Sequence, residues 1–136
     1  VTVPSRDDAA LAPAGSSCLY VLEPVPNLDG RVDWARERDR VQAALVERVA
    51  ALGYPVDVEL ERFHDPLDWE AAGMERGTPF ALAHTFRQTG PFRPANVDRL
   101  APGLVFAGSG TVPGVGIPMV LVSGMLAAQR VGEVLP

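Results

Sequence analysis

The chain has 136 residues, with 12 arginines, no lysine, 17 acidic residues, a net charge of −5 and 47% hydrophobic content. That is the apolar material of one folded unit rather than a disordered one. Scattered arginine on an acidic chain does not build the cationic face that nucleic acid requires. The single cysteine, Cys18, excludes an internal disulfide framework and a cysteine zinc cage, and residues 1–6 lack the basic start and apolar run of a secretory signal, which suggests a cytoplasmic protein.

Residues 1–15 are rich in Pro, Ala, Ser and Asp and read as a loop. Residues 17–23 form a strand candidate stopped by Pro24 and Pro26, and Asn27, Leu28, Asp29 and Gly30 make a turn. The clearest helix follows, with Asp33 as cap and Glu37 in the first turn. Trp34, Val41, Leu45, Val49 and Leu52 share one face, which predicts packing against a sheet, and Gly53 and Pro55 end the helix. Residues 56–63 alternate apolar and charged side chains, the pattern of a half-buried strand. Asp65, Pro66 and Asp68 then spell a cap, a proline at the first helical position and an acid at the third, opening a short helix before Gly73 and Gly77. Residues 80–86 are a further strand candidate, and the prolines at 91 and 94 make residues 90–96 an extended loop.

Residues 104–107 are continuously apolar and bracketed by glycine, as in a strand buried on both faces. A glycine-rich turn from Gly108 to Gly116 leads to a helix starting at Pro118 and running to about Val134, apolar all round and so expected to be buried on most sides, with Gly124 open to close packing. Four readings of this strand, turn and helix stand side by side. A dinucleotide fingerprint fits at Gly108 and Gly110, but its third glycine falls one place late, at 114, and no second strand with a ribose-binding acid follows. A membrane span over 112–128 is short and broken by Pro113, Gly114, Gly116 and Pro118. An ordinary turn before a buried helix is the plainest reading. The fourth is a turn that brings backbone N–H groups, at the positive end of a helix, to a cofactor held mainly elsewhere. His64 and His84 have no third ligand placed near them and read as structural, so no metal site is expected, and no side chain stands out as catalytic.

The motif set His84-Thr85-Phe86-x-Gln88-Thr89-x-Pro91-Phe92-Arg93-Pro94-x-Asn96, Pro102-Gly103-Leu104, Gly108-x-Gly110-Thr111-x-Pro113-Gly114-x-Gly116-Ile117-Pro118 and Ser123-Gly124 resembles the carboxyl-terminal end of bacterial phytoene desaturases, the FAD-dependent carotenoid desaturases and isomerases of the phytoene dehydrogenase family. The resemblance is dense from about Phe80 to Val131 and thinner from Pro4 to Gly53; Val112 stands where many members carry His, Val115 where many carry Ala, and Pro91 where an aromatic residue is common. It implies an α+β fragment, the C-terminal part of a two-domain, amine-oxidase-like FAD-binding α/β flavoprotein, ending in a buried strand, a glycine-rich turn and a long helix. Residues 1–90 would belong to the substrate-binding domain and 91–136 to the FAD-binding domain. The parent would desaturate phytoene or a related carotenoid by passing hydride to the flavin and on to a quinone or oxygen.

By the same resemblance the flavin-facing residues would be Gly108, Ser109, Gly110, Thr111, Gly114, Val115, Gly116 and Ile117, with Arg93 bracing the loop or, as the second choice, reaching a cofactor oxygen. The substrate would be a hydrophobic carotenoid in an apolar channel, and its insolubility is consistent with peripheral membrane contact of the parent. The chain alone would bind FAD weakly and self-associate through exposed apolar surface. The competing class is a stand-alone α+β binding module without catalysis.

Overall fold

The computed structural model describes residues 1–83, 85–101 and 103–134. Three α-helices carry the architecture: α1 (Trp34–Ala51), α2 (Pro66–Ala71) and α3 (Ile117–Val134). Single 3-10 turns at Pro4–Arg6, Ala9–Leu11, Glu75–Gly77, Phe86–Gln88 and Gly90–Phe92 punctuate long extended segments. Among the described residues pairing between extended segments is limited to two antiparallel bridges, Thr2 with Tyr20 and Val97 with Val105. The expected α+β arrangement is therefore corrected to a mostly helical one with few strands.

Helix α1 forms where its pattern places it. Trp34 and Val49 are buried, and Gly53, at φ +86°, takes the left-handed conformation that ends it. Two details differ. The Asp33 carboxylate caps no amide; it sits 3.4 Å from the Arg36 guanidinium, while the Asp33 carbonyl accepts from the Arg36 and Glu37 N–H groups. Leu52, at the end of the stripe, is 69% exposed, because no sheet lies beneath it.

Helix α2 is held by the capping box its sequence spells. The Asp65 carboxylate accepts from the Leu67 and Asp68 N–H groups, and the Asp68 carboxylate accepts from the Asp65 N–H. Arg38 joins α1 to α2. Its Nη1 lies 2.7 Å from Asp65 and 2.8 Å from Asp68, and its Nη2 donates to the Phe63 carbonyl at 3.1 Å. The Asp65 side chain is fully buried, so this charge is both paired and saturated with donors. The Asp65 N–H, and then Arg38, hold the Asp68 carboxyl below the usual carboxylate value, and Asp68 in turn raises the Arg38 guanidinium. The chain then turns back against α2 at Gly77, where a β-carbon would lie 2.2 Å from the Pro66 carbonyl oxygen and φ is +68°. Only glycine fits there.

The strand expectations fail for one reason: a strand needs a continuous hydrogen-bonded partner on at least one edge and a cover for its apolar face. Residues 17–23 contribute one bridge, with the Thr2 and Tyr20 amides exchanging bonds of 2.9 Å. Residues 56–63 are extended but unpaired among the described residues, with Val56, Val58 and Leu60 all exposed. In the 80–86 candidate, Ala81 adopts φ +59° and Phe86 opens a 3-10 turn, while His84 lies outside the described residues. The segment 104–107 has one bridge, and Leu104 and Phe106 are 47% and 42% exposed rather than buried on both faces.

Helix α3 begins one residue earlier than expected, with Pro118 second rather than first. Its apolar circumference faces outward at Ile117, Leu121 and Met125, and among the described residues nothing lies within 4 Å of a β-carbon placed on Gly124 and only Ser123 and Ala127 of the helix are buried. The expected burial on most sides is not met, because only one face of α3 meets the loop before it. The whole surface makes the same point: 10210 Å² is accessible, against about 6,900 Å² for a compact monomer of this mass. Trp34, Val49 and Ala127 are the buried hydrophobic residues among those described.

Candidate functional site: a glycine-rich loop at the start of a helix

Residues 93–101 and 103–117 and the start of α3 are hydrogen-bonded together through four buried polar side chains, Arg93, Asn96, Thr111 and Ser123. Asn96 is 6% exposed; its Nδ2 donates to the Phe106 carbonyl at 3.0 Å and lies 3.4 Å from Ser123 Oγ and 3.5 Å from the Val112 carbonyl. Ser123, in the second turn of α3, also accepts from the Gly108 N–H at 3.1 Å. Thr111 Oγ1 donates to the Pro94 carbonyl at 2.6 Å, and the Val112 N–H donates to the same carbonyl at 3.0 Å. Arg93 reaches across from the other side, its Nη1 donating to the Gln88 carbonyl at 3.1 Å and its Nη2 to the Ser109 carbonyl at 2.6 Å.

The residues singled out from sequence divide into two groups. Gly108 and Thr111 spend their amides inside the loop, the first on Ser123 and the second on the Gly108 carbonyl at 3.5 Å. Ser109 contributes its carbonyl to Arg93, and Gly110 stands exposed at the rim. Gly114, Val115, Gly116 and Ile117 lead into α3, and none of their N–H groups has an acceptor among the described residues. Gly114 and Gly116 take φ values of +146° and +102°, backbone conformations that suit glycine. A hollow of about 330 Å³ with mostly apolar walls is lined by Pro94, Phe106, Ala107, Gly110 and Thr111 of the same loop.

The geometry tests the readings left open. A dinucleotide fingerprint needs a strand running through the glycines straight into a helix; here residues 111–116 intervene and the segment before Gly108 has a single bridge. Among the described residues no helix is long and apolar enough to cross a membrane, and no group of His, Cys, Asp and Glu is placed to hold a metal ion. An ordinary turn and a cofactor-facing one share this geometry, a loop whose last amides have no acceptor among the described residues, at the positive end of an 18-residue helix.

The model of the flavin containing amine oxidoreductases matches residues 5–132. The chain belongs to that family. Within it, the chain is 47% identical over 138 residues to a phytoene dehydrogenase of Streptomyces griseus, covering 96% of this chain and 27% of that protein. It is 44% identical to a zeta-carotene-forming phytoene desaturase of Myxococcus xanthus, over 96% of this chain and 26% of the relative. It is 39% identical to an all-trans-zeta-carotene desaturase of the same organism, over 93% and 25%. The chain thus spans about a quarter of the length of these curated relatives. No solved structure matches it significantly.

Membership implies a flavin, and the loop fits one edge of such a ring. Free amides suit the carbonyl oxygens of its pyrimidine side, the shallow apolar hollow suits a flat heteroaromatic surface, and the buried Arg93 Nε has no acceptor of its own. Asn96 and Ser123 were visible in the sequence only as parts of a motif. Their role as the hub of the loop comes from contacts 10 to 27 residues apart, which no local pattern reports.

Proposed function

We propose that this chain is the carboxyl-terminal part of an FAD-dependent enzyme that desaturates phytoene or a related carotenoid. Residues 1–90 belong to the substrate-binding half and residues 91–136 to the flavin-binding half. The observation that carries the reading is the run of unpaired amides from Gly114 to Ile117, held at a helix start by buried Arg93, Asn96 and Ser123. Similarity to enzymes named for phytoene and zeta-carotene supplies the substrate class.

Bound flavin supplies the hydride acceptance that this chain's side chains lack. The protein's own part is binding and orientation. The amides of Gly114, Val115, Gly116 and Ile117 meet the pyrimidine edge, where the helix start favours negative charge. Gly108, Ser109, Gly110 and Thr111 lie along the ribityl side, and there Gly110 and Thr111 share the wall of the apolar hollow. A polyene hydrocarbon offers no polar handle, so the substrate channel is apolar, and peripheral membrane contact of the parent gives access to it. A free-standing binding module is not favoured, since α3 leaves Ile117, Leu121 and Met125 uncovered.

Gly110 gives the cleanest test. Its φ is not positive and a β-carbon there meets no atom within 4 Å, so Gly110→Val is unstrained in the protein alone. In the complete parent polypeptide it should weaken FAD retention at least about tenfold without lowering the stability of the apoprotein. Unchanged flavin content in this variant would refute the placement, and a wild-type parent that binds no flavin would refute the whole reading. A flavoprotein whose yellow colour does not bleach when mixed anaerobically with phytoene in lipid vesicles would refute the substrate.

A further inference from the structure

Arg93 is only 4% exposed, yet it forms no ion pair among the described residues. Two neutral carbonyls hold its terminal nitrogens, and Nε has no acceptor at all. Bracing a loop does not need a full charge; a neutral donor serves two carbonyls equally well and costs less to bury. The other arginines that join distant segments are matched by carboxylates, Arg38 by Asp65 and Asp68, Arg48 by Glu23 and Arg76 by Asp29. The position of Arg93 explains the difference. A β-carbon on Gly114 would lie 3.8 Å from both its Cδ and its Nε, so the guanidinium packs against Gly114, the first of the residues that lead into α3. Charge, amides and helix start then form one electropositive surface, and a buried cation without a counter-ion favours whatever negative charge develops in front of it.

Resting on the flavin reading above, we propose that Arg93 is a positioning residue that also acts electrostatically. It fixes the Ser109 and Gly114 loop and sets its unpaired charge behind the flavin-facing amides, raising the reduction potential of the bound cofactor. The charge acts through the backbone in front of it, so it needs no direct contact with the ring. It is also shielded from solvent, so added salt screens it little.

The test uses the complete parent polypeptide with its flavin. Arg93→Met keeps an apolar stem and removes the charge; Arg93→Gln removes the charge and keeps an amide donor. Both are expected to raise the oxidised-to-reduced ratio at a fixed potential about tenfold, equivalent to a potential about 30 mV lower for a two-electron couple. Arg93→Lys is expected to hold the wild-type potential while releasing flavin more readily. If all three variants lose flavin but leave the potential of the retained flavin unchanged, Arg93 only braces the loop, and this proposal falls while the flavin reading stands. A wild-type parent without flavin overturns both. Should the neutral variants not fold, Arg93→His decides the matter: a flavin potential that falls more steeply than in the wild type as the pH rises through the imidazole range is expected, and the wild-type slope overturns the proposal.

Discussion

Replacing Asp65 by alanine separates the cap of α2 from its link to α1. The wild-type carboxylate accepts from the Leu67 N–H at 2.8 Å, the Asp68 N–H at 3.1 Å and Arg38 Nη1 at 2.7 Å. Loss of an N-cap costs about 1 kcal/mol. Loss of one charge-assisted bond, with Asp68 still pairing Arg38, adds about 1 kcal/mol, at the low end for such bonds because the guanidinium is partly solvated. The sum, about 2 kcal/mol, is about a 30-fold fall in the protection of local amides. Hydrogen exchange followed on a peptide covering residues 64–72 reads it directly, since the Leu67 and Asp68 amides are the ones uncapped. Asp65→Asn, which can still accept from those amides, should lose about half as much in free energy. Protection that stays within about threefold of wild type in Asp65→Ala would refute the cap-and-clamp account.

Two other expectations follow from the fold. The Asp68 carboxyl is held below its ordinary value of 3.8 by the Asp65 N–H, with Arg38 adding to it, so its contribution to stability is complete above that ordinary value and is lost as the pH falls through the lowered one. The urea midpoint should therefore drop below about pH 4 more steeply for the wild-type chain than for Asp68→Asn, and equal slopes would remove Asp68 from the account. The apolar residues facing outward on α3 should make the isolated chain self-associate at micromolar concentration, seen as species larger than a monomer in sedimentation velocity. A clean monomer would mean that this face is covered by the chain itself.

Legibility in the sequence followed the range of the interactions. The bounds of α1 and α2, the capping box, the turn at Asn27, where Oδ1 accepts from the Asp29 N–H at 3.1 Å, and the left-handed Gly53 all depend on residues within one or two turns. Whether an apolar segment is covered depends on what lies far along the chain or outside it, which is why residues 104–107 and α3 read correctly as apolar and wrongly as buried. The clamp between Arg38 and Asp65 spans 27 positions and has no local signature. At the candidate site, the loop's glycines were legible because positive φ has few other solutions, and bracing by Arg93 was expected from the motif. The convergence of Asn96 and Gly108 on Ser123 was not, since a serine inside an apolar helix carries no sign of the partner it serves.

That convergence makes residues 109–122 a closed span of fixed length. Inserting or deleting one residue within α3 before Ser123 would turn the rest of the helix by about 100° relative to the loop, bringing Val122 or Gly124 to the place of the hydroxyl. Neither offers an oxygen to the Asn96 amide or the Gly108 N–H. The exposed side chains of α3 before Ser123 can be exchanged without disturbing that register, whereas Gly114 and Gly116, at positive φ, cannot.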